Sequence, residues 1–254
     1  MPATPDATRE IAALRDQIAV PHRTDRPVLP FGVAAIDDQL CRAGLAIDAI
    51  HDVAPASSRL SDDAAATLFV GGLAARLTGV HRRRQALWVL TRSDLYAPGL
   101  EQAGLTSDRV FFAEARDDAQ ALALAEDGVR EGALGAVVVE VRRAPMVATR
   151  RLQLAAAEGG TPVLMLRRWR RAATCPLGEL SAAVTRWRIG SAPSAPLGVP
   201  GVGRARWTVD LVRQRGGEPF SLIVEACDDQ GRLALPAAAR DRAAAPERAV
   251  ARAA

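Results

Sequence analysis

Residues 54–61 read Ala54-Pro-Ala-Ser-Ser-Arg-Leu-Ser61, between a stretch with strand character and one with helix character. In a nucleotide-binding α/β protein this is where a loop of the form G-x-x-x-x-G-K-[ST] would cradle phosphates. Its glycines let backbone N–H groups wrap the phosphates, its lysine reaches the terminal ones, and its hydroxyl holds Mg²⁺. Here Ala54 stands at the first glycine, Arg59 at the second and Leu60 at the lysine, and only Ser61 fits. Pro55 removes a backbone donor as well. Asp62 and Asp63 follow at the helix start, where the helix dipole favours carboxylates but an anionic ligand would meet two negative charges. Each lost charge-assisted contact costs about 1.5–3 kcal/mol, roughly 10- to 150-fold in affinity. The expectation is a loop that neither binds nor hydrolyses a nucleotide, in a protein that is not an enzyme and holds no cofactor.

Composition removes other chemistries. All 33 basic residues are arginine, and asparagine is absent too. A GC-rich coding bias accounts for part of this, but without lysine no Schiff base can form, which excludes pyridoxal enzymes and lysine aldolases. Cys41, Cys175 and Cys227 are scattered, as are His22, His51 and His81. Neither a disulfide framework nor a zinc site is supported. The net charge of +4 permits acidic partners without requiring them. The polar start of the chain and the lack of a long apolar run predict a soluble, cytoplasmic protein.

Further polar residues stand at strand ends. Glu140 closes the run Val137-Val138-Val139, where a magnesium-binding carboxylate would sit. Without a working loop it is expected to be a strand-end glutamate facing solvent. Asp94, after the strand ending near Thr91, is placed like a water-activating acid and loses that role with the loop. Arg167-Arg168-Trp169-Arg170-Arg171 follows a strand over 162–166, and Arg142-Arg143 follows the central strand. In a parallel sheet, loops at the carboxyl ends of strands carry function. The two clusters are expected to form one basic rim. Its guanidiniums could pair phosphates and Trp169 could stack on a base. The same residues could meet an acidic protein surface, or simply be solvated. Arg150-Arg151 lies within the following helix, and Arg82-Arg83-Arg84 precedes a strand at the opposite edge.

The elements that must position these residues are legible from periodicity. Helices are expected over 8–19, 33–40, from Ser61 as N-cap, over 98–103, 117–130 and 145–158. Ala66, Phe69, Val70, Leu73 and Leu77 should form the buried stripe of the helix that starts at Ser61, and Ile36 and Leu40 should face inward on the short helix before it. Strands are expected over 46–53, 86–91, 110–113, 133–141 and 162–166. Trp88, Trp187 and Trp207 are expected in the core. Strands alternating with helices imply βαβ units and a mostly parallel sheet covered on both faces. Beyond residue 182 the texture turns to short alternating strands over 182–189, 205–213, 220–226 and 232–235, an antiparallel section. This divides the chain into a helix and linker over 1–28, a core over 29–190, an antiparallel β extension over 191–235 and an Ala/Arg tail over 236–254.

The ordered set of these segments resembles the ImuA family of RecA-like accessory proteins from bacterial mutagenesis cassettes. The residues that carry the resemblance begin with Leu29-Pro-Phe-Gly-Val-Ala-Ala-Ile-Asp37 and Ala49-Ile-His-Asp-Val53. Leu95-Tyr-Ala-Pro98-Gly-Leu-Glu-Gln-Ala-Gly-Leu105, Arg186-Trp-Arg188 and Gly203-Arg-Ala-Arg-Trp207 continue it, and Asp210-Leu-Val-Arg213 and Arg215-Gly-Gly217 follow. It runs over roughly residues 10–235. It implies a RecA-like, mostly parallel sheet flanked by helices, and a non-catalytic adaptor role in SOS-type, damage-induced mutagenesis. The implied partners are an ImuB-like inactive polymerase homologue and an error-prone replicative-type DNA polymerase, with RecA itself as a third and contact with DNA left open. SulA-like division inhibitors, which are shorter, and a weak DNA-dependent ATPase related to RecA are the alternatives. Filamentation on overexpression would mark the first and measurable nucleotide binding the second.

Overall fold

The computed structural model describes residues 27–80, 85–169, 174–194 and 201–236. The expected helix over 8–19, Arg82–Arg84, Arg170 and Arg171 lie outside them. The chain is an α/β protein around a single eight-stranded mixed sheet. Its strands are β3 (Ile50–Pro55), β4 (Ala86–Leu90), β5 (Val110–Glu114), β6 (Ala136–Val141), β7 (Val163–Arg167), β8 (Thr185–Ala192), β9 (Arg206–Gln214) and β10 (Phe220–Glu225). The order across the sheet is β10-β9-β8-β3-β7-β6-β4-β5. From β8 to β5 every pairing is parallel, while β8-β9 and β9-β10 are antiparallel. The antiparallel strands thus widen the same sheet. A small separate pair, β1 (Val28–Leu29) with β2 (Leu45–Ala46), brackets the short helix α1 (Ala34–Asp37). The strand expected over 46–53 is therefore split between two sheets: Ala46 ends β2, residues 47–49 lie in no strand, and 50–53 open β3.

Alternation along each strand sends side chains to two cores. One face packs on α2 (Leu60–Val80), through Val138, Leu164, Leu166, Val53 and Ile189, with Ala66, Phe69, Val70, Leu73 and Leu77 of the helix all buried. Trp88, Trp187 and Trp207 join this core as expected, and Ile36 and Leu40 point into it. Phe31, Phe69, Trp187, Trp207 and Phe220 form a ring cluster with centroids 5.4–6.4 Å apart, the offset and edge-on spacing that aromatic quadrupoles favour. The other face carries Ile50, Val137, Val139, Val163 and Met165 and packs on α4 (Asp118–Arg130) and α5 (Met146–Gly159). The short helix α3 (Ala97–Gln102) follows β4.

Local chemistry fixes the helix ends. Asp117 caps α4 by accepting the Gln120 N–H at 2.8 Å. Gly160 closes α5 at φ 63°, a left-handed conformation that glycine adopts without cost. Two apolar residues of these elements point outward. Leu154 is 69% exposed, because Leu152, Ala155 and Ala156 are the residues of α5 that turn inward. Val212 is exposed as well. Trp187 pairs with Leu211 and Arg186 with Arg213, so Val212 is the extra residue of a β-bulge.

Residues 226–235 run back from β10 across α2 as a strap. Instead of the expected strand over 232–235 there is one bridge, Glu225 N–H to the Ala234 carbonyl at 2.8 Å. The strap fits because glycines meet it. A Cβ on Gly231 would lie 2.3 Å from the Gly72 carbonyl oxygen, and one on Gly104 would lie 2.8 Å from that of Asp229. The Cys227 thiol donates to the Leu68 carbonyl, and burial pushes that thiol up to about 12. Truncation after Leu235 is expected to leave the thermal midpoint nearly unchanged. Truncation after Ala226 uncovers α2 and removes the buried Leu233, and should cost about 2 kcal/mol, read as a lower denaturant midpoint. Equal midpoints for the two truncations would show that the strap contributes nothing.

Candidate functional site

β3 lies in the middle of the sheet, and its carboxyl end opens into the loop before α2. Ala56 N–H donates to the Ile189 carbonyl at 2.7 Å, so the chain leaves β3 still paired with β8. Asp62 then closes the loop on itself. Its Oδ2 accepts the Ser57 hydroxyl at 2.5 Å, and its Oδ1 accepts the Ser191 N–H at 2.8 Å and the Ser191 hydroxyl at 3.0 Å. Burial pushes this carboxyl up, but the bonds from Ser57 and Ser191 and the charge of Arg59 prevail and hold it below the usual carboxylate range. The Arg59 carbonyl accepts the N–H groups of Asp62 and Asp63, so the helix begins at Leu60 and Ser61 lies inside the first turn rather than capping it. Within the loop the Ser57 hydroxyl donates to Asp62 and in turn accepts the Arg59 N–H, so the loop is bonded to its own residues and to β8.

Glu140 corrects the sequence expectation. It is 3% exposed and points toward α2, on the same face as Val138. Its Oε1 accepts the Trp88 indole N–H at 2.8 Å. The Arg168 guanidinium forks onto it, with Nη2 to Oε1 at 2.8 Å and Nε to Oε2 at 2.9 Å. Nη1 of the same guanidinium reaches α2, donating to Asp63 Oδ2 at 3.0 Å and to Thr67 Oγ1 at 2.8 Å. One arginine thereby ties the end of β6 to the first turns of α2. Burial alone would lower the Arg168 guanidinium, but the bonds and charges of Glu140 and Asp63 raise it above its usual range. Asp94 pairs with Arg92 at 3.7 Å and shares with Asp63 and Arg168 a cleft of about 280 Å³ whose mouth carries the exposed Leu60 and Tyr96.

The basic rim is corrected in the same way. β7 runs one residue further than expected, so Arg167 is a strand residue. Alternation turns it to the α5 face, where it is fully buried. It donates to the Glu179 carboxylate and to the Arg142 carbonyl, and its Nη1 lies 4.0 Å from Asp52. Arg186 of β8 donates to the same Asp52 from the other side at 3.2 Å. Burial raises the Asp52 carboxyl while the two guanidiniums oppose the rise. Arg167 and Arg168 are thus internal cations on opposite faces of the sheet, not members of a solvated loop. What remains at the edge is Arg142 and Arg143, both exposed. Their backbone N–H groups are held by the two Asp118 oxygens at 3.2 and 3.1 Å. With Trp169 and Glu179 they line a cavity of about 720 Å³.

Among the described residues no group of three His, Cys, Asp or Glu is placed to hold a metal ion, and no helix is long and apolar enough to cross a membrane. Sequence reasoning missed the two arginine-centred networks. A signal for them existed: Asp52 stands inside a central strand of the sheet, and an acid buried there demands a cation.

The site defines an α/β protein with a strand-loop-helix frame at the carboxyl end of a central strand, in which the chain's own carboxylates and one arginine meet each other. No family model matches the chain. It is 39% identical over 209 residues to Protein ImuA of Caulobacter vibrioides, in strains NA1000 / CB15N and ATCC 19089 / CIP 103742 / CB 15, covering 80% of this chain and 85% of that protein. The chain belongs to the ImuA family.

Proposed function

We propose that this chain is an accessory protein of damage-induced mutagenesis that works by binding partners, on a RecA-type core whose nucleotide position is filled by its own side chains. The observation that carries the reading is Arg168. Its guanidinium bridges Glu140 and Asp63, between the end of β6 and the start of α2. A magnesium-nucleotide complex would need Glu140 free and no carboxylate at Asp63, and it would need the lysine that Leu60 replaces. Asp62 adds a negative charge where phosphate would meet the helix dipole. Family membership supports a role beside an ImuB-like polymerase homologue, with an error-prone replicative-type polymerase and RecA as further candidates. Arg142, Arg143 and Trp169, with Arg170 and Arg171 beyond them, are the residues we assign to partner or DNA contact. Arg167 and Arg168 act from within by positioning that edge.

Calorimetry with Mg²⁺-ATP is expected to give no binding up to millimolar nucleotide and no turnover. An affinity that disappears in Ser61→Ala would sink the adaptor reading. Pull-down from DNA-damaged cells is expected to recover the polymerase homologue, and recovery of a cytoskeletal GTPase instead would favour the division-inhibitor class.

A further inference from the structure

A second surface lies on the α4–α5 face, apart from the Arg168 network. The two helices leave a groove of about 340 Å³ walled by Ala119, Leu122, Ala123, Pro145 and Ala148. Beside it α5 presents Val147 and Leu154, 71% and 69% exposed. They are seven residues apart, so they share one helical face, with Arg151 between them and Arg150 alongside. Large aliphatic side chains left in water along one stripe mark an interaction site rather than a random surface.

The charges around the groove are lopsided. Glu126 at its end accepts Arg151 at 2.7 Å and Arg130 at 3.0 Å, so one carboxylate anchors two guanidiniums. Burial would raise this carboxyl, but the two arginines hold it below the usual range. The guanidiniums of Arg143 and Arg150 pair with no carboxylate among the described residues, while Asp118, at the Arg143 end of the groove, accepts the Arg142 and Arg143 backbone N–H groups. Four arginines therefore face two acids, Glu126 and Asp118, both already engaged, and Arg151 is held in place with 63% of its side chain still in solvent.

We infer that this groove and the Val147–Leu154 stripe dock an acidic amphipathic helix of a partner protein. The aliphatic stripe supplies the contact that an apolar helix face fills, and the arginine surround selects the carboxylates flanking that face. A helix of 14 residues is about 21 Å long, so the matching segment has about four turns. A second copy of this chain is disfavoured. A twofold antiparallel pairing of α5 on α5 would bring Arg150 of each copy against Arg151 of the other. Single-stranded nucleic acid is disfavoured because the stripe offers two aliphatic side chains and no flat ring for a base to stack on. The inference does not rest on the reading of the nucleotide position, since the Arg168 guanidinium bonds to Glu140, Asp63 and Thr67, none of which lines the groove.

The test uses the full chain and a fluorescein-labelled helical peptide of about four turns with leucine on one face and glutamate on the rest. Its counterpart has lysine in place of glutamate. At physiological salt the glutamate peptide is expected to give saturable anisotropy, and the lysine peptide to bind at least about tenfold more weakly. Val147→Asp and Leu154→Asp should each weaken the glutamate peptide by about tenfold, and Arg150→Glu by about threefold. Both aliphatic residues are surface positions, and circular dichroism checks that the variants fold. No binding of the glutamate peptide, equal binding of both peptides, or unchanged binding in Val147→Asp and Leu154→Asp would each overturn the proposal. Oligothymidylate binding that falls in Arg150→Glu but not in Val147→Asp would overturn it in favour of a nucleic-acid surface. Calorimetry with Mg²⁺-ATP on the same preparations reads the nucleotide position separately, so the two readings fail independently.

Discussion

Replacing Arg168 with alanine is expected to destabilise the protein by about 3–5 kcal/mol, a fall in thermal midpoint on the order of 10 °C for a chain of this size. The guanidinium makes four hydrogen bonds, two to Glu140 and one each to Asp63 and Thr67. Its removal leaves Glu140, 3% exposed, with the Trp88 indole N–H as its remaining partner. A buried carboxylate without its cation either carries an uncompensated charge or takes up a proton, and both cost free energy. The pair Glu140→Gln with Arg168→Met separates this from mere loss of packing. Glutamine keeps an acceptor for Trp88, methionine refills the volume, and the unpaired charge is gone. The double variant should therefore recover at least half of what Arg168→Ala loses, read in denaturant unfolding. A single variant as stable as the parent would show that the bridge between β6 and α2 contributes nothing. A double variant no better than the single would show that packing, not charge, is what Arg168 provides.

How far this site could be read from the sequence depends on what each residue's neighbours are. Val137 to Val139 and Leu164 to Leu166 announce buried strands because both faces of a parallel sheet are covered and every residue is apolar. Phe69, Val70 and Leu73 announce a helix face by their spacing. Those signals are local, and the α/β class followed from them. The failed phosphate loop was equally local, since it rests on residue types at fixed positions. The fate of Arg167 and Arg168 was not local. A run of arginines around one tryptophan looks the same whether it is solvated or paired. Their partners Asp52, Asp63, Glu140 and Glu179 lie 12 to 115 residues away and meet them only once the strand order sets β7 between β3 and β6. The direction of each guanidinium then follows from strand parity. Arg167 shares the face of Val163 and Met165, and Arg168, one residue on, takes the face of Leu164 and Leu166. One residue of strand length separates a basic loop from two internal ion pairs.

Acidification from pH 7 to pH 4 is expected to remove roughly 3 kcal/mol of stability through His51 alone. This residue lies in β3, fully buried on the α2 side of the sheet. Its Nε2 is 2.7 Å from the Ala46 carbonyl oxygen, which can only accept, so that nitrogen carries the proton. Nδ1 is then the acceptor of the Thr185 hydroxyl at 2.7 Å, and the Thr185 oxygen in turn accepts the Trp187 indole N–H at 2.7 Å. The chain of bonds is complete only with neutral imidazole, because a proton on Nδ1 would force the Thr185 hydroxyl to turn away. Burial lowers the imidazole from 6.5 to about 4, against smaller opposing effects of the Ala46 carbonyl and the Asp48 charge. A base with a depressed folded pKa binds more protons when unfolded. Its contribution is therefore intact above pH 6.5 and is lost as pH falls from there toward 4. The loss should be roughly 1 kcal/mol at pH 5.5 and between about 2 and 3 kcal/mol at pH 4.5. Other groups titrate in the same range, and Asp52, whose carboxyl is raised, acts with the opposite sign. The measurement is thus a difference: denaturant midpoints of the parent and of His51→Gln across pH 4.5 to 7.5. Glutamine costs stability at every pH but does not titrate, so the gap between the two proteins should close as pH falls. Parallel curves would mean that the imidazole takes up a proton in the folded protein at no cost, with Nδ1 then donating to a Thr185 oxygen that still accepts the Trp187 indole N–H.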